Sequence, residues 1–396
     1  MGGWDSDGGH LLDVGEVPPY SITPIAIKKS TRTESASTSE HSELIAHNNH
    51  LENKHLSASI DERGDISSIF NKELGQEILP PGAIANQFQA FEDRPKTPDA
   101  WEIDISYDEK IWLADPVESM ELIEHGPLRA AIKLKRTILN STITQRISLD
   151  YNARQLVFNT KVDWRERYIL LKVVFPVQVL SPVATYEIQW GDIQRPTHHN
   201  TSWDWAKFEV PAHKWVDLSE GGYGVSLLND CKYGHDIHDN VIRLTLLRSP
   251  SYPDPTADQG HHQFTYSLLP HGSNWKSETI PAAYALNYPP ISFMLVDNML
   301  NNGTLRDSGD CFFSLNQPNV ILETIKFAED GNGLIVRVFE GQRRRCGCEL
   351  TAGFDLSKAW RVNILEEDLE ELSIFKNRIT FNINPYQILS FRLVPA

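Results

Sequence analysis

Leu156, Phe158, Thr160, Val162 and Trp164 alternate with Val157, Asn159, Lys161 and Asp163, and this period of two recurs along most of the chain. Successive side chains of a strand point to opposite faces, so the run predicts a half-buried strand with its polar face outward. Ile147, Leu149 and Tyr151 alternate in the same way, as do Ile242, Leu244 and Leu246. Ile169 to Phe175 is more continuously apolar and predicts a strand buried on both faces. Turn signals punctuate these runs at Glu62-Arg63-Gly64-Asp65, Pro80-Pro81-Gly82 and Glu220-Gly221-Gly222. Helical spacing is nearly absent, and Glu366 to Leu372 offers two turns at most. Many strands, frequent turns and few helices require sheets packed on sheets, so the predicted class is all-β.

The organisation follows from where this pattern starts and pauses. Residues 1–45 read as a linker and partly disordered N-terminal segment. Leu11 to Ile27 has room for one short strand among prolines. Lys28 to Ser42 is mostly Lys, Ser, Thr and Glu, too polar to offset the entropy of ordering, and reads as a loop or linker. A large β domain is expected over 46–300. The turn cluster Asn301-Asn302-Gly303 then sets off a second strand set in Leu334 to Phe339, Ile379 to Ile383 and Leu389 to Leu393, about right for one small sandwich over 301–396.

Composition mainly removes candidates. A formal net charge of −16 argues against nucleic acid or an anionic membrane surface as the main partner. No run approaches the roughly 18 apolar residues of a membrane helix, and the N-terminus lacks the basic and apolar regions of a signal peptide. Cys231, Cys311, Cys346 and Cys348 are too sparse for a disulfide framework and read as reduced, structural thiols of a cytoplasmic protein.

Most candidate chemistry yields to a bland reading. His235-Asp236-Ile237-His238-Asp239 has metal-ligand residue types, but i and i+3 on a strand face opposite sides, so a solvated hairpin turn is preferred to a zinc site. The adjacent pairs His198-His199 and His261-His262 rarely chelate one ion. No Gly-x-Ser-x-Gly elbow and no Gly-rich phosphate loop before a helix occur. Two loops stand out instead. Phe91 to Asp104 holds two prolines, several carboxylates and Trp101. It reads equally well as a sugar-binding loop and as a capping loop whose Trp plugs its own core. Arg248 to Gly260 places Arg248, Tyr252, Asp254 and Asp258 on a loop stiffened by three prolines, and loops on a rigid β scaffold are where recognition concentrates. Trp203, Trp205 and Trp215 read as core aromatics.

These same stretches resemble glycoside hydrolase family 38, the retaining α-mannosidases, in its bacterial and cytosolic-type branch. The resemblance is carried by Leu51-Glu52-Asn53 through Phe70-Asn71-Lys72-Glu73, the Asp99-Ala100-Trp101 loop, and Gly191-Asp192-Ile193-Gln194-Arg195-Pro196-Thr197-His198 with Asn200-Thr201-Ser202-Trp203-Asp204. It continues in Tyr223 to Tyr233, Leu246 to Asp258, Phe264-Thr265-Tyr266-Ser267-Leu268-Leu269-Pro270-His271 and Asn319-Val320-Ile321-Leu322-Glu323-Thr324-Ile325-Lys326. It spans residues 45 to 396 in order. It implies a galactose-mutarotase-like β-supersandwich followed by a small C-terminal β-sandwich.

The resemblance also implies that zinc and the Asp nucleophile belong to an N-terminal catalytic domain with no counterpart in this sequence. No catalytic residue and no cofactor is therefore assigned to the chain, and its enzymatic status is left open. Trp101 resembles the aromatic that reaches the mouth of the family's pocket, and Arg248 a basic residue that approaches the sugar. Asp99 and Asp258 complete the substrate-binding set that the resemblance implies, as substrate-lining residues or as loop-holding partners of those two. The expected partners are an N-terminal α-mannosidase catalytic domain or chain and an α-mannoside oligosaccharide. The alternative is a stand-alone carbohydrate-binding or structural β module. Epimerase activity of its own would need a His acid and a Glu base over a sugar cleft, a pair the sequence does not present.

Overall fold

The computed structural model describes residues 11–25, 44–96, 99–272, 274–293 and 311–396. The linker expected over Lys28 to Ser42 and the boundary expected near residue 300 lie outside the described residues. Contacts divide the chain into two compact units. The larger comprises Glu34–Ile188 and Ile193–Pro290; the smaller comprises Met1–Thr33, Gln189–Asp192 and Ile291–Ala396.

The larger unit is built on three sheets. A nine-stranded sheet runs Gly191–Pro196, Val183–Ile188, Trp215–Ser219, Tyr223–Asn229, Gly260–Gly272, Leu156–Trp164, Ser141–Asp150, Arg129–Ile138 and Ser119–His125. A six-stranded sheet runs Val210–Pro211, Gly234–His238, Val241–Arg248, Ile169–Pro176, Gln87–Glu92 and Ile111–Leu113. A five-stranded sheet takes its strands in chain order from Ile45–His47 to Gln76–Glu77.

The alternation predicted for Leu156–Trp164 is realised: every second residue is buried, starting at Leu156. Ile169–Pro176 is buried on both faces through Phe175. Phe158 stacks on Tyr266 at 5.1 Å between ring centroids, and Phe175 of the six-stranded sheet meets Phe158 at 5.7 Å and Tyr266 at 6.0 Å. The two large sheets therefore share one core. Each such aliphatic or aromatic side chain, fully buried, contributes about 1.5–3 kcal/mol.

One group of polar side chains in that core is paired internally, as burial favours. Thr160, on the apolar face of its strand, accepts from Gln145 Nε2 at 2.9 Å. Gln145 also donates to Tyr266 Oη at 2.7 Å and accepts from Asn86, and Tyr266 closes the ring by donating to Asn86 at 2.7 Å. The predicted turn at Glu62 to Asp65 forms as well. Gly64 sits at φ +87°, where a Cβ would lie 2.2 Å from Val117, so a side chain is excluded twice over.

Four expectations are corrected. Trp275–Asn287 is a helix where no helical signal was read; its Pro281 and the run of Ser, Thr and Ala hide the periodicity. Glu366 to Leu372 is not helical but contains the exposed strand Asp368–Glu371. Among the described residues, Leu11–Ile25 forms no strand beyond one bridge, Ser21 to Cys311. His235 is not on a solvated turn: it lies in the strand Gly234–His238 with no exposed surface, and the turn falls at Asp239-Asn240.

The smaller unit packs a three-stranded sheet, Phe313–Leu315, Cys346–Ala352 and Arg378–Ile383, on a five-stranded one. The order of the latter is Val320–Phe327, Leu334–Glu340, Ile388–Pro395, Leu356–Val362 and Asp368–Glu371. Its core includes Phe313, Val338, Leu350, Ile379 and Phe391, matching the predicted second strand set. Strands account for almost all regular structure in both units, as the all-β class requires. No helix among the described residues is long and apolar enough to cross a membrane.

Candidate functional site

The register of the six-stranded sheet explains why two loops distant in sequence meet. Leu170 pairs with Phe91 on one side and with Arg248 on the other. The chain thus leaves two strands at the same end of the sheet, separated only by the strand between them. One departure runs from Asp93 through Trp101 and a short 3-10 turn, Tyr107–Glu109, to return as the edge strand Ile111–Leu113. The other runs from Ser249 to Gln259 and crosses to the nine-stranded sheet at Gly260.

Arg248 ties the loops together. Its Nε donates to Asp93 at 2.5 Å, one Nη donates to the Ala100 carbonyl at 3.3 Å, and the other donates to the Glu102 carbonyl. The carbonyls on either side of Trp101 are therefore held by one planar guanidinium, a fork geometry that a lysine cannot reproduce. Asp93 is almost fully buried, and only one of its oxygens has a hydrogen-bond partner. Asp258 accepts the Arg248 backbone N–H at 3.0 Å.

Asp99 performs the reciprocal task. It accepts from the Ser251 amide at 2.7 Å, the Ser251 hydroxyl at 2.9 Å and the Tyr252 amide at 2.8 Å. Desolvation pushes its carboxyl up, but these bonds from Ser251 and Tyr252 outweigh it and hold the group below the usual carboxylate range.

Two aromatic rings stand on this framework. Trp101 is 68% exposed and Tyr252 58% exposed, with ring centroids 6.2 Å apart and planes tilted by 54°. The backbone is fixed at both, so little conformational entropy remains to be lost if a ligand settles on the rings. Trp101 does not plug the core beneath its loop; Tyr107 does, buried against Phe91 and Leu170. From there an aromatic row continues through Phe208 to Trp205.

Of the four residues singled out from the sequence, all fall in this one cluster. Trp101 is its exposed face, while Arg248, Asp99 and Asp258 are engaged within the loops. Tyr252 and Asp93 were not singled out. Tyr252 was visible as an aromatic on a proline-stiffened loop; nothing marked Asp93 apart from its acidic neighbours. The tryptophans read as core divide: Trp215 is buried, but Trp203 is 82% exposed and Trp205 48%, because the one-turn helix Ser202–Trp205 lies on the surface.

Among the described residues the histidines form no metal centre. His199 and His238 rings lie 4.1 Å apart, yet among the described residues no group of three or more His, Cys, Asp or Glu is placed to hold a metal ion. A zinc ion does not fit the donor sets described, and no chemistry of this chain is routed through one.

Comparison with known proteins agrees with this fold. Residues 51–256 match the family described as "Glycosyl hydrolases family 38 C-terminal domain", and residues 319–391 match "Glycosyl hydrolases family 38 C-terminal beta sandwich domain". Alpha-mannosidase 2C1 of Mus musculus is 39% identical over 352 residues, covering 87% of this chain and 33% of the relative. Alpha-mannosidase of Saccharomyces cerevisiae is 33% identical over 374 residues, covering 83% and 33%. An α-mannosidase structure from Enterococcus faecalis V583 superposes with a TM-score of 0.69 at 18% identity, covering 88% of this chain and 42% of that one. This fold and these matches define a β part of a glycoside hydrolase. The chain belongs to glycosyl hydrolase family 38 and corresponds to its C-terminal domains. It spans about a third of the length of the curated relatives it matches.

Proposed function

We propose that this chain is the C-terminal part of a retaining α-mannosidase, and that its Trp101–Tyr252 face lines the site where an α-mannoside binds. The carrying observation is the pair of exposed rings on loops pinned by Arg248 and Asp99. The apolar face of a pyranose stacks on such rings, and a preformed platform avoids ordering costs on binding. Glycoside cleavage with retention needs a nucleophile and a general acid about 5 Å apart across the bond. In this reading both reside, with zinc, on a separate N-terminal catalytic part. The relatives' greater length supports that division, as do the exposed side chains of Trp101, Trp203 and Trp205, which suit docking. Four cysteines, all unpaired, support a cytoplasmic setting.

Titration of the chain with α-1,2-mannobiose, followed by the Trp101 indole and Tyr252 ring resonances, tests the platform. Saturable shifts at both rings with millimolar affinity are expected, and Trp101→Ala should abolish them. No shift at either ring up to about 100 mM, where dissociation constants of fragment-sized sugars remain measurable, would overturn the proposal. A stand-alone carbohydrate-binding module would show the same shifts, but its affinity would be unchanged by adding a catalytic part.

A further inference from the structure

Away from the loops, four elements of the larger unit converge on one buried imidazole. His271, on the strand Gly260–Gly272, is 2% exposed, and Asp217, on Trp215–Ser219, is 1% exposed. His271 Nε2 lies 2.6 Å from Asp217 Oδ2, and Nδ1 lies 2.7 Å from the Gly272 carbonyl. A carbonyl can only accept, and Asp217 already accepts from Ser219 at 2.5 Å and Ser226 at 2.8 Å. With Asp217 ionised, both ring nitrogens donate, which makes the ring an imidazolium facing a carboxylate.

The same network reaches the Trp275–Asn287 helix, which packs on this sheet. Ser226 gives its proton to Asp217, so Thr279 of the helix donates to Ser226 at 2.7 Å. Gly224 leaves space for the ring, since a Cβ there would come within 2.5 Å of His271 Cε1. The charged groups that face the ring are Asp217, two strands away beyond Tyr223–Asn229, and Glu278 on the helix, both acidic.

We propose that His271 and Asp217 form a proton-operated latch that holds the Trp275–Asn287 helix on the nine-stranded sheet and releases it as the pH rises. Burial alone would lower the affinity of the ring for its proton. The Asp217 bond and charge, then the Gly272 carbonyl and Glu278, outweigh burial and hold it above the ordinary histidine range. The sign follows: the folded value is raised, so the stabilisation is fully present below the unfolded value and is lost as pH rises through the folded one. A neutral ring keeps one N–H. One of two acceptors then faces a lone pair, and the buried Asp217 charge loses its counter-ion.

Hydrogen exchange of the full chain from about pH 6 to about pH 10, corrected for intrinsic rates, tests the latch. Protection of the helix amides should fall at least ~10-fold relative to the strand Leu156–Trp164, and His271→Gln, which cannot titrate, should show no such pH dependence. Helix and strand amides losing protection in parallel would overturn the proposal. If His271→Gln does not fold, the wild-type ring nitrogens decide: two protonated nitrogens at neutral pH support the latch, and one contradicts it.

Discussion

Trp101 and Tyr252 present surface, whereas Asp99 and Arg248 are engaged beneath it, and substitutions should separate the two roles. Trp101→Ala and Tyr252→Ala remove exposed rings and are expected to change stability by no more than about 0.5 kcal/mol in denaturant unfolding, while sugar-induced shifts disappear. Arg248→Met leaves Asp93 as a buried charge without its partner and should cost about 3 kcal/mol. Arg248→Lys should recover little, because one ammonium cannot span Asp93 and two carbonyls. At this scale the sequence marked two loops that the structure brings together. It could not divide surface from scaffold, because whether an Asp or Arg on a loop faces solvent or the next loop is set by pairing partners far along the chain.

At the scale of elements, the loops act as one body because the strand Ile169–Pro176 brings their origins together. Asp99 makes that body sensitive to acid. Its folded value is depressed, so the contribution is present above the unfolded value and is lost as pH falls through the folded one. Proteolysis within residues 99–110 is expected to accelerate at acid pH in the wild type. Asp99→Asn should cleave readily at neutral pH, and identical profiles for both would contradict the role of Asp99. Strands were far more legible than the helix. Leu156–Trp164 declares itself by strict alternation, since one face is core and the other solvent. The Trp275–Asn287 helix buries only Thr279, Ile280 and Ala283, so no apolar stripe announces it, and Pro281 sits on a helix that tertiary packing tolerates. His235 misled for a related reason: it is a neutral core histidine, its pKa pushed down to about 4 by burial, and a polar residue type on an inward-facing position mimics a turn.

For the whole molecule, membership of glycosyl hydrolase family 38 goes with a chain that spans about a third of its curated relatives' length. Trp101, Trp203, Trp205 and Ile105 are exposed, and isolated large apolar residues on a soluble surface need no explanation, but a contiguous patch beyond a few hundred Å² does. Binding of a hydrophobic dye to the free chain is expected, falling when the catalytic part is added. No dye binding in the free state would count against docking there. The all-β class was readable because strand patterning is local, whereas the proposed division of labour with a catalytic part rests on resemblance. The most direct measurement is hydrolysis of an aryl α-mannoside in the presence of zinc, by this chain, by an N-terminal family 38 catalytic part, and by the two combined. No turnover by the chain is expected, and turnover by the mixture well above that of the catalytic part by itself. Turnover by this chain on its own, or a mixture no faster than the catalytic part, would contradict this expectation.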